Sequence, residues 1–325
     1  MLLLRQMMHG GRMCSVAAQV AVRHSFLSPV IPRYASTFLS DVPFDFSPYQ
    51  CVGFDLDNTL CQYQVQPLME MAYDQCLVPH LISRWQYPAD VFAPMCDQLE
   101  LCARGLILDT MADGIAHMYA RHQFAADDGG FFSRLRADTP ALAHPCSAAV
   151  LRLLRQLRSQ GKLLFLITSS HADYARHMAR LALGGADWFD FFDVVVTYAC
   201  KPRFFTGRAP FLALDAADRE GSWAELYGLL QRQLGTERPA CVYVGDNLAY
   251  DVHPARAYTR CHVVAVCEEL EAEWGVRCAS GAPTTVRHSR LWGSLLSEGD
   301  QDTLWGAVVR GAHGCVPRVD YLVPH

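Results

Sequence analysis

The stretch Cys51–Tyr63, CVGFDLDNTLCQY, carries the reading of this chain. A short apolar run, CVGF, ends abruptly in two aspartates one residue apart, Asp55 and Asp57, and Thr59 follows directly. An uninterrupted apolar run bounded by polar residues is the pattern of a strand buried on both faces, as in a parallel sheet. Carboxylates at such a strand end serve either turn chemistry or phosphate chemistry, and a lone pair of them does not decide which.

Working outward, four more runs have the same character: LLFLI (163–167), DVVVT (193–197), CVYVG (241–245) and HVVAV (262–266). Between them lie amphipathic stretches at about 146–160, 171–183, 222–235 and 249–258. Pro145 stands at a helix start, and Gly161 and Gly235 at helix stops. This alternation predicts an α/β fold, a doubly wound parallel sheet with helices on both faces. Ligands of such sheets bind beyond the carboxyl ends of the strands. One segment breaks the rhythm. Residues 62–144 are far longer than a crossover needs, and RGLILDTMADGIAHMYA (104–120) reads as two strands joined at Asp113-Gly114. FAADDGGFF (124–132) reads as a loop. The expected organisation is a core of residues 41–61 and 145–270, a cap inserted at 62–144, and an unassigned tail at 271–325.

Composition bounds the rest. With 51% hydrophobic and 19% charged residues, the 325-residue chain can bury a full core. No uncharged apolar run approaches the roughly 20 residues of a membrane helix, so no membrane span is expected. The thirteen cysteines include no CxxC pair and read as reduced, small hydrophobes. The first 40 residues hold Arg5, Arg12, Arg23 and Arg33 and no acidic residue. On a helical wheel Arg5, His9 and Arg12 oppose Leu3, Met7 and Cys14, the composition of a mitochondrial transit peptide; the alternative is a disordered leader on a cytoplasmic protein. Setting those four arginines aside leaves 24 basic residues against 33 acidic ones, a balance that argues against binding nucleic acid through its phosphates.

Four strand ends carry polar groups suited to one task. The first presents Asp55 and Asp57. The second leads into TSSH, with Thr168, Ser169 and, less tellingly, His171. The third is followed by YACKPRFF, which holds Lys201, one of two lysines among 28 basic residues. The fourth ends VGDNLAYD, with Asp246 and Asp251. Phosphoryl transfer calls for a carboxylate nucleophile, a second acid that first protonates the leaving oxygen and then activates water, and donors for the phosphoryl oxygens. Mg²⁺, held by a few carboxylates, would offset the repulsion of four converging acids. Taken singly, each piece is ordinary turn or cap chemistry. Falling in order along one sheet edge, they point to a phosphate site.

DLDNTL, LITSS, CKP and VGDNLAYD resemble the four successive motifs of the haloacid dehalogenase superfamily, in its phosphatase branch. More narrowly, FDLDNTLCQY, KLLFLITSSHADY and YACKPRFF resemble the 5′-nucleotidase domain-containing proteins, over roughly residues 50–270. The resemblance implies Asp55 as nucleophile and Asp57 as general acid/base. Thr168, Ser169 and Lys201 would hold the phosphate. Mg²⁺ would be held by Asp55, Asp246 and the Asp57 backbone carbonyl, with Asp251 in support. It further implies a small phosphomonoester substrate, most naturally a nucleoside monophosphate. Only about residues 121–144 fill the place of a longer stretch in the relatives, so a reduced cap with weak nucleotide selectivity is expected. A non-catalytic binding protein, or a phosphatase for another small ester, is the alternative.

Overall fold

Six parallel strands form the sheet, in the spatial order β5-β4-β1-β6-β7-β8. They are β1 (Cys51–Phe54), β4 (Leu163–Ile167), β5 (Val194–Val196), β6 (Cys241–Gly245), β7 (His262–Val266) and β8 (Gly314–Val316). The computed structural model describes residues 44–86, 88–89, 124, 130–211, 221–268, 270 and 311–323. The expected leader at 1–40 and the expected 104–120 hairpin lie outside the described residues.

Alternation along each strand builds two separate cores. Val52, Phe54, Leu164, Leu166, Val242, Val244, Val264, Val266 and Val316 share one cluster. Cys51, Phe165, Ile167, Cys241, Tyr243, Val263, Ala265 and Cys315 share the other. Parallel strands buried on both faces leave no place for a polar alternation, which is why these runs read as continuously apolar. Gly53 has a specific reason to be glycine. A Cβ there would lie 1.9 Å from the Phe165 ring, which instead stacks parallel to Tyr243, centroids 6.5 Å apart.

Helices cover both faces: α4 (Ala148–Ser159), α5 (Ala172–Leu183), the short α6 (Arg203–Thr206), α7 (Trp223–Leu234) and α8 (His253–Tyr258). Helix α4 starts at Ala148, with Ser147 Oγ accepting from Val150 N at 3.2 Å, rather than at Pro145. A hydroxyl that satisfies an otherwise orphaned amide sets the boundary more firmly than a proline three residues earlier. Gly184 and Gly235 close α5 and α7 in the left-handed conformation.

The insertion leaves and re-enters the core side by side. β2 (Gln62–Tyr63) pairs antiparallel with β3 (Ala143–His144), Tyr63 opposite Ala143. Within it lie α1 (Val65–Ala72), a π-helical turn (Tyr73–Leu77), α2 (Val78–Trp85) and α3 (Phe131–Leu142). Phe131 and Phe132 therefore open a helix instead of ending a loop: Gly130 is its N-cap, and both rings are buried. The strand β8 is a further departure from expectation. Its three residues were too few to stand out in the tail, yet they pair with β7 from Val264↔Gly314 to Val266↔Val316.

Candidate active site

From β1 the chain runs to β4 and β5 on one side, then crosses to β6, β7 and β8 on the other. The carboxyl ends of β1 and β6 thus flank the topological switch point, where a crevice opens in such sheets. The singled-out residues lie at this edge, Asp251 in a π-helical turn and the others on the loops after the strands.

At the end of β1, Asp55 N still donates to Val244 O (2.9 Å), continuing the ladder. The chain then coils tightly. Leu60 N and Cys61 N both donate to Leu56 O, and Asn58 takes a left-handed φ of 55°. Leu56 N donates to Asp55 Oδ1 at 2.7 Å, which fixes that carboxylate. Asp55 and Asp251 are fully buried. Between them stands Lys201, whose Nζ is 2.9 Å from Asp55 Oδ1 and 2.7 Å from Asp251 Oδ1. The same ammonium reaches Ile167 O and Tyr243 Oη, both at 3.3 Å. Burial alone would lower the pKa of this amine; the Asp251 and Asp55 carboxylates outweigh it and hold it above its ordinary value.

Asp251 owes its place to local sequence. Asn247 caps a π-helical turn, Leu248–Val252, its Oδ1 accepting from Ala249 N (3.1 Å) and Tyr250 N (3.0 Å). That turn folds Asp251 back against Gly245, where a Cβ would come within 2.8 Å of the Asp251 Cβ. Tyr243 Oη donates to Asp251 Oδ1 at 2.7 Å. Burial and then the charges on Asp251 and Asp55 raise this phenol well above its usual value, so it remains a donor.

Asp57 belongs to a neighbouring cluster. Its Oδ1 accepts from Tyr63 Oη (2.5 Å), and its Oδ2 from Thr168 Oγ1 (3.1 Å) and Ser170 Oγ (2.7 Å). Burial, then the charge on Asp57, raises the Tyr63 hydroxyl well above its usual value. Thr168 is itself held by Ser170 N at 3.1 Å. Ser169 faces the lysine loop, its Oγ accepting Lys201 N at 3.0 Å. His171 is the N-cap of α5 and stacks on Tyr198, centroids 4.4 Å apart.

All seven singled-out residues thus meet at one edge, in two linked groups: Asp55, Lys201, Asp251 and Asp246, and Asp57 with Thr168, while Ser169 ties the lysine loop to the strand. Four contributors were not found from sequence: Tyr63, Ser170, Tyr243 and Tyr174, whose hydroxyl lies 2.7 Å from that of Tyr63. Tyr243 had a signal, since a phenol inside a fully buried run needs a polar partner.

The site is suited to a divalent cation. Ligand oxygens of Asp55, Asp246 and Asp251 lie within 4.8 Å of one another. Asp251 Oδ2 is buried and has no hydrogen-bond partner among the described residues. An all-carboxylate donor set is hard and fits Mg²⁺ better than a softer metal, and a single ammonium does not balance the buried acids.

This sheet order, with two aspartates directly after the first strand and a lysine and further aspartates beyond later ones, defines a doubly wound α/β protein with an acidic site at its switch point. Within that class the chain belongs to the 5′ nucleotidase family, whose sequence model it matches over residues 44–131 and 145–291. It is 37% identical to human 5′-nucleotidase domain-containing protein 1 over 180 residues, half of this chain and 39% of that protein. It is 27% identical to the 5′-nucleotidase domain-containing protein DDB_G0275467 of Dictyostelium discoideum over 170 residues, 46% of this chain and 28% of that one. A crystal structure of a HAD phosphatase from Thermococcus onnurineus superposes with a TM-score of 0.41 at 21% identity, covering 67% of this chain and 86% of that one. The chain spans about two fifths of the length of the first curated relatives it matches. Among the described residues, no helix is long and apolar enough to cross a membrane.

Proposed function

We propose that this chain is a Mg²⁺-dependent phosphomonoester hydrolase acting through an aspartyl-phosphate, with nucleoside monophosphates as its preferred substrates. The observation that carries the proposal is the buried Asp55–Lys201–Asp251 cluster, with Asp246 beside it, at the switch point of the sheet.

Asp55 attacks phosphorus while the P–O bond to the leaving alcohol breaks, and Asp57 supplies the proton that alcohol needs. Asp57 then removes a proton from water, which attacks the same phosphorus and releases Asp55. Lys201 and Ser169 receive the phosphoryl oxygens, while Thr168, expected among them, spends its one hydroxyl proton on Asp57 Oδ2. Lys201 also offsets the charge of the buried Asp55 carboxylate, 2.9 Å from its ammonium. Mg²⁺, held by the side chains of Asp55, Asp246 and Asp251 and the backbone carbonyl of Asp57, would supply positive charge to the transferring phosphoryl group.

The test is a hydrolysis screen over nucleoside monophosphates, sugar phosphates and p-nitrophenyl phosphate, with and without Mg²⁺, beside an Asp55→Asn control. Metal-dependent release of phosphate by the native chain and not by the variant is expected. Because the cap expected from the sequence is short, nucleotides should be favoured over generic esters by less than about 100-fold. A folded chain that binds Mg²⁺ and hydrolyses none of these would instead leave the fold as a binding protein.

A further inference from the structure

Asp57 is held by more than its role requires. A carboxylate offers about four acceptor positions. Three are taken, two on Oδ2 by Thr168 and Ser170 and one on Oδ1 by Tyr63. The one position left for a substrate or water proton is therefore on Oδ1, beside the Tyr63 hydroxyl. Tyr63 has a single proton, and it points to Asp57. The 2.7 Å contact between the two phenols must then have Tyr174 as donor to Tyr63.

Tyr174 in turn sits beneath the insertion. Its ring meets Phe124 edge-on at 5.1 Å and Phe132 at 6.2 Å. One turn along α5, His177 packs against Phe124 and bonds Thr139 of α3 at 2.8 Å. Tyr63 itself lies in the ribbon through which the chain enters and leaves the insertion. A continuous run of contacts joins the insertion to one oxygen of Asp57.

We infer that Tyr63, aligned by Tyr174, is a positioning residue that fixes which oxygen of Asp57 exchanges protons with the leaving group and with water. This deepens the proposed hydrolysis and rests on it. The balance is simple: the proton moves between Asp57 Oδ1 and the ester oxygen or water, and Tyr63 keeps its own.

Leaving-group dependence distinguishes positioning from support of the fold. The leaving group of a nucleoside monophosphate or of phenyl phosphate is a basic oxyanion that needs the proton, whereas that of p-nitrophenyl phosphate needs it far less. The kcat/KM value reports only steps up to departure of the alcohol, so the later use of Asp57 as a base does not enter. Tyr63→Phe should lower kcat/KM about 10–100-fold for the nucleotide and phenyl esters, within the range of a mispositioned general acid. For p-nitrophenyl phosphate the loss should be at least tenfold smaller. In an Asp57→Asn background, Tyr63→Phe should add less than about twofold, because residues acting as one unit are not additive. Tyr174→Phe should show the same leaving-group pattern with a smaller loss, and it serves if Tyr63→Phe does not fold. Equal losses on all three esters, or full additivity with Asp57→Asn, would overturn the positioning role while leaving the hydrolase reading intact. A native chain inactive on every ester would overturn both.

Discussion

Replacing Gly245 by alanine is the sharpest probe of how the sheet builds the site. The new methyl would lie 2.8 Å from Asp251 Cβ, 3.0 Å from its Cγ and 3.3 Å from Tyr243 Cε1. Ordinary carbon contacts begin near 3.5 Å, so Asp251 must withdraw by roughly 0.7 Å. It accepts hydrogen bonds of 2.7 Å from both Lys201 Nζ and Tyr243 Oη. The same retreat would stretch both beyond the 2.7–2.9 Å of a strong charge-assisted bond. Overpacking costs about 1–3 kcal/mol, and weakening bonds to a charged group adds a share of about 1.5–3 kcal/mol. A destabilisation of about 2–4 kcal/mol follows, with loss of Mg²⁺-dependent hydrolysis from whatever remains folded. Gly228, inside α7, is the matched control. Its Cβ would meet only Arg232 Nη1 at 3.4 Å, and alanine there should stabilise by about 0.5–1 kcal/mol. Urea unfolding of both variants, with phosphate release measured in parallel, gives the answer. If Gly245→Ala unfolds at the native midpoint and keeps its kcat/KM, the close approach of Asp251 to β6 is not what holds the site.

Asp55→Asn is nearly isosteric and should reduce turnover on the order of 10³-fold or more with little change in the melting temperature; retention of a tenth of native activity would remove Asp55 from the nucleophile's role. His313 gives a pH signature. Its pKa is lowered to about 4 by burial first, then by His262 and Arg256, and its Nδ1 accepts Val263 N at 3.1 Å, a bond that protonation disfavours. A depressed histidine contributes stability that is full above its unfolded value of 6.5 and lost as pH falls toward 4. For this half-exposed ring that amounts to about 1–2 kcal/mol once solvent screening is included. Urea midpoints at pH 7 and 4.5 should therefore differ more in the native chain than in His313→Asn, which keeps an acceptor and does not titrate. Finally, residues 1 to about 34 fused to a fluorescent protein should carry it to mitochondria, with cleavage near Arg33-Tyr34; a uniformly cytosolic reporter contradicts a transit peptide.

The strands were legible because burial on both faces makes them continuously apolar, and five of the six stood out for that reason. β8 did not, since Gly314, Cys315 and Val316 are too short a run to separate from a poorly patterned tail. The start of α3 was misread because Gly129-Gly130 suggests a loop, while in the fold Gly130 caps a helix held by the burial of Phe131 and Phe132. Site residues on loops directly after strands were found, because polarity at the end of an apolar run is a visible break. Tyr243 and Tyr63 were missed for the opposite reason. Their rings satisfy the apolar pattern and only the last atom of each is functional, so one-dimensional patterning counts them as core. Ser170 was hidden by ambiguity within Thr-Ser-Ser: three adjacent hydroxyls read alike, and only the loop geometry turns the third toward Asp57 and the second toward Lys201.

The two cores also divide the proposed chemistry. Asp55 has the strand parity of Cys51 and Gly53, and its partners grow from the same face: Tyr243 belongs to that core, and Phe204 and Phe205, just after Lys201, pack into it. Asp57 depends on the other face, where Tyr174, Phe124 and Phe132 belong to the first core and Tyr63 packs against it. Substitutions beneath Tyr243, such as Gly53→Ala pressing on Phe165, should thus disturb the charge cluster around the nucleophile. Those beneath Tyr174 should act on proton transfer through Asp57. β1 lies inside the sheet, between β4 and β6 at the switch point, so its last residues are where the two sets of side chains can meet. A pair of aspartates at the end of this strand draws its environments from both sides of the sheet.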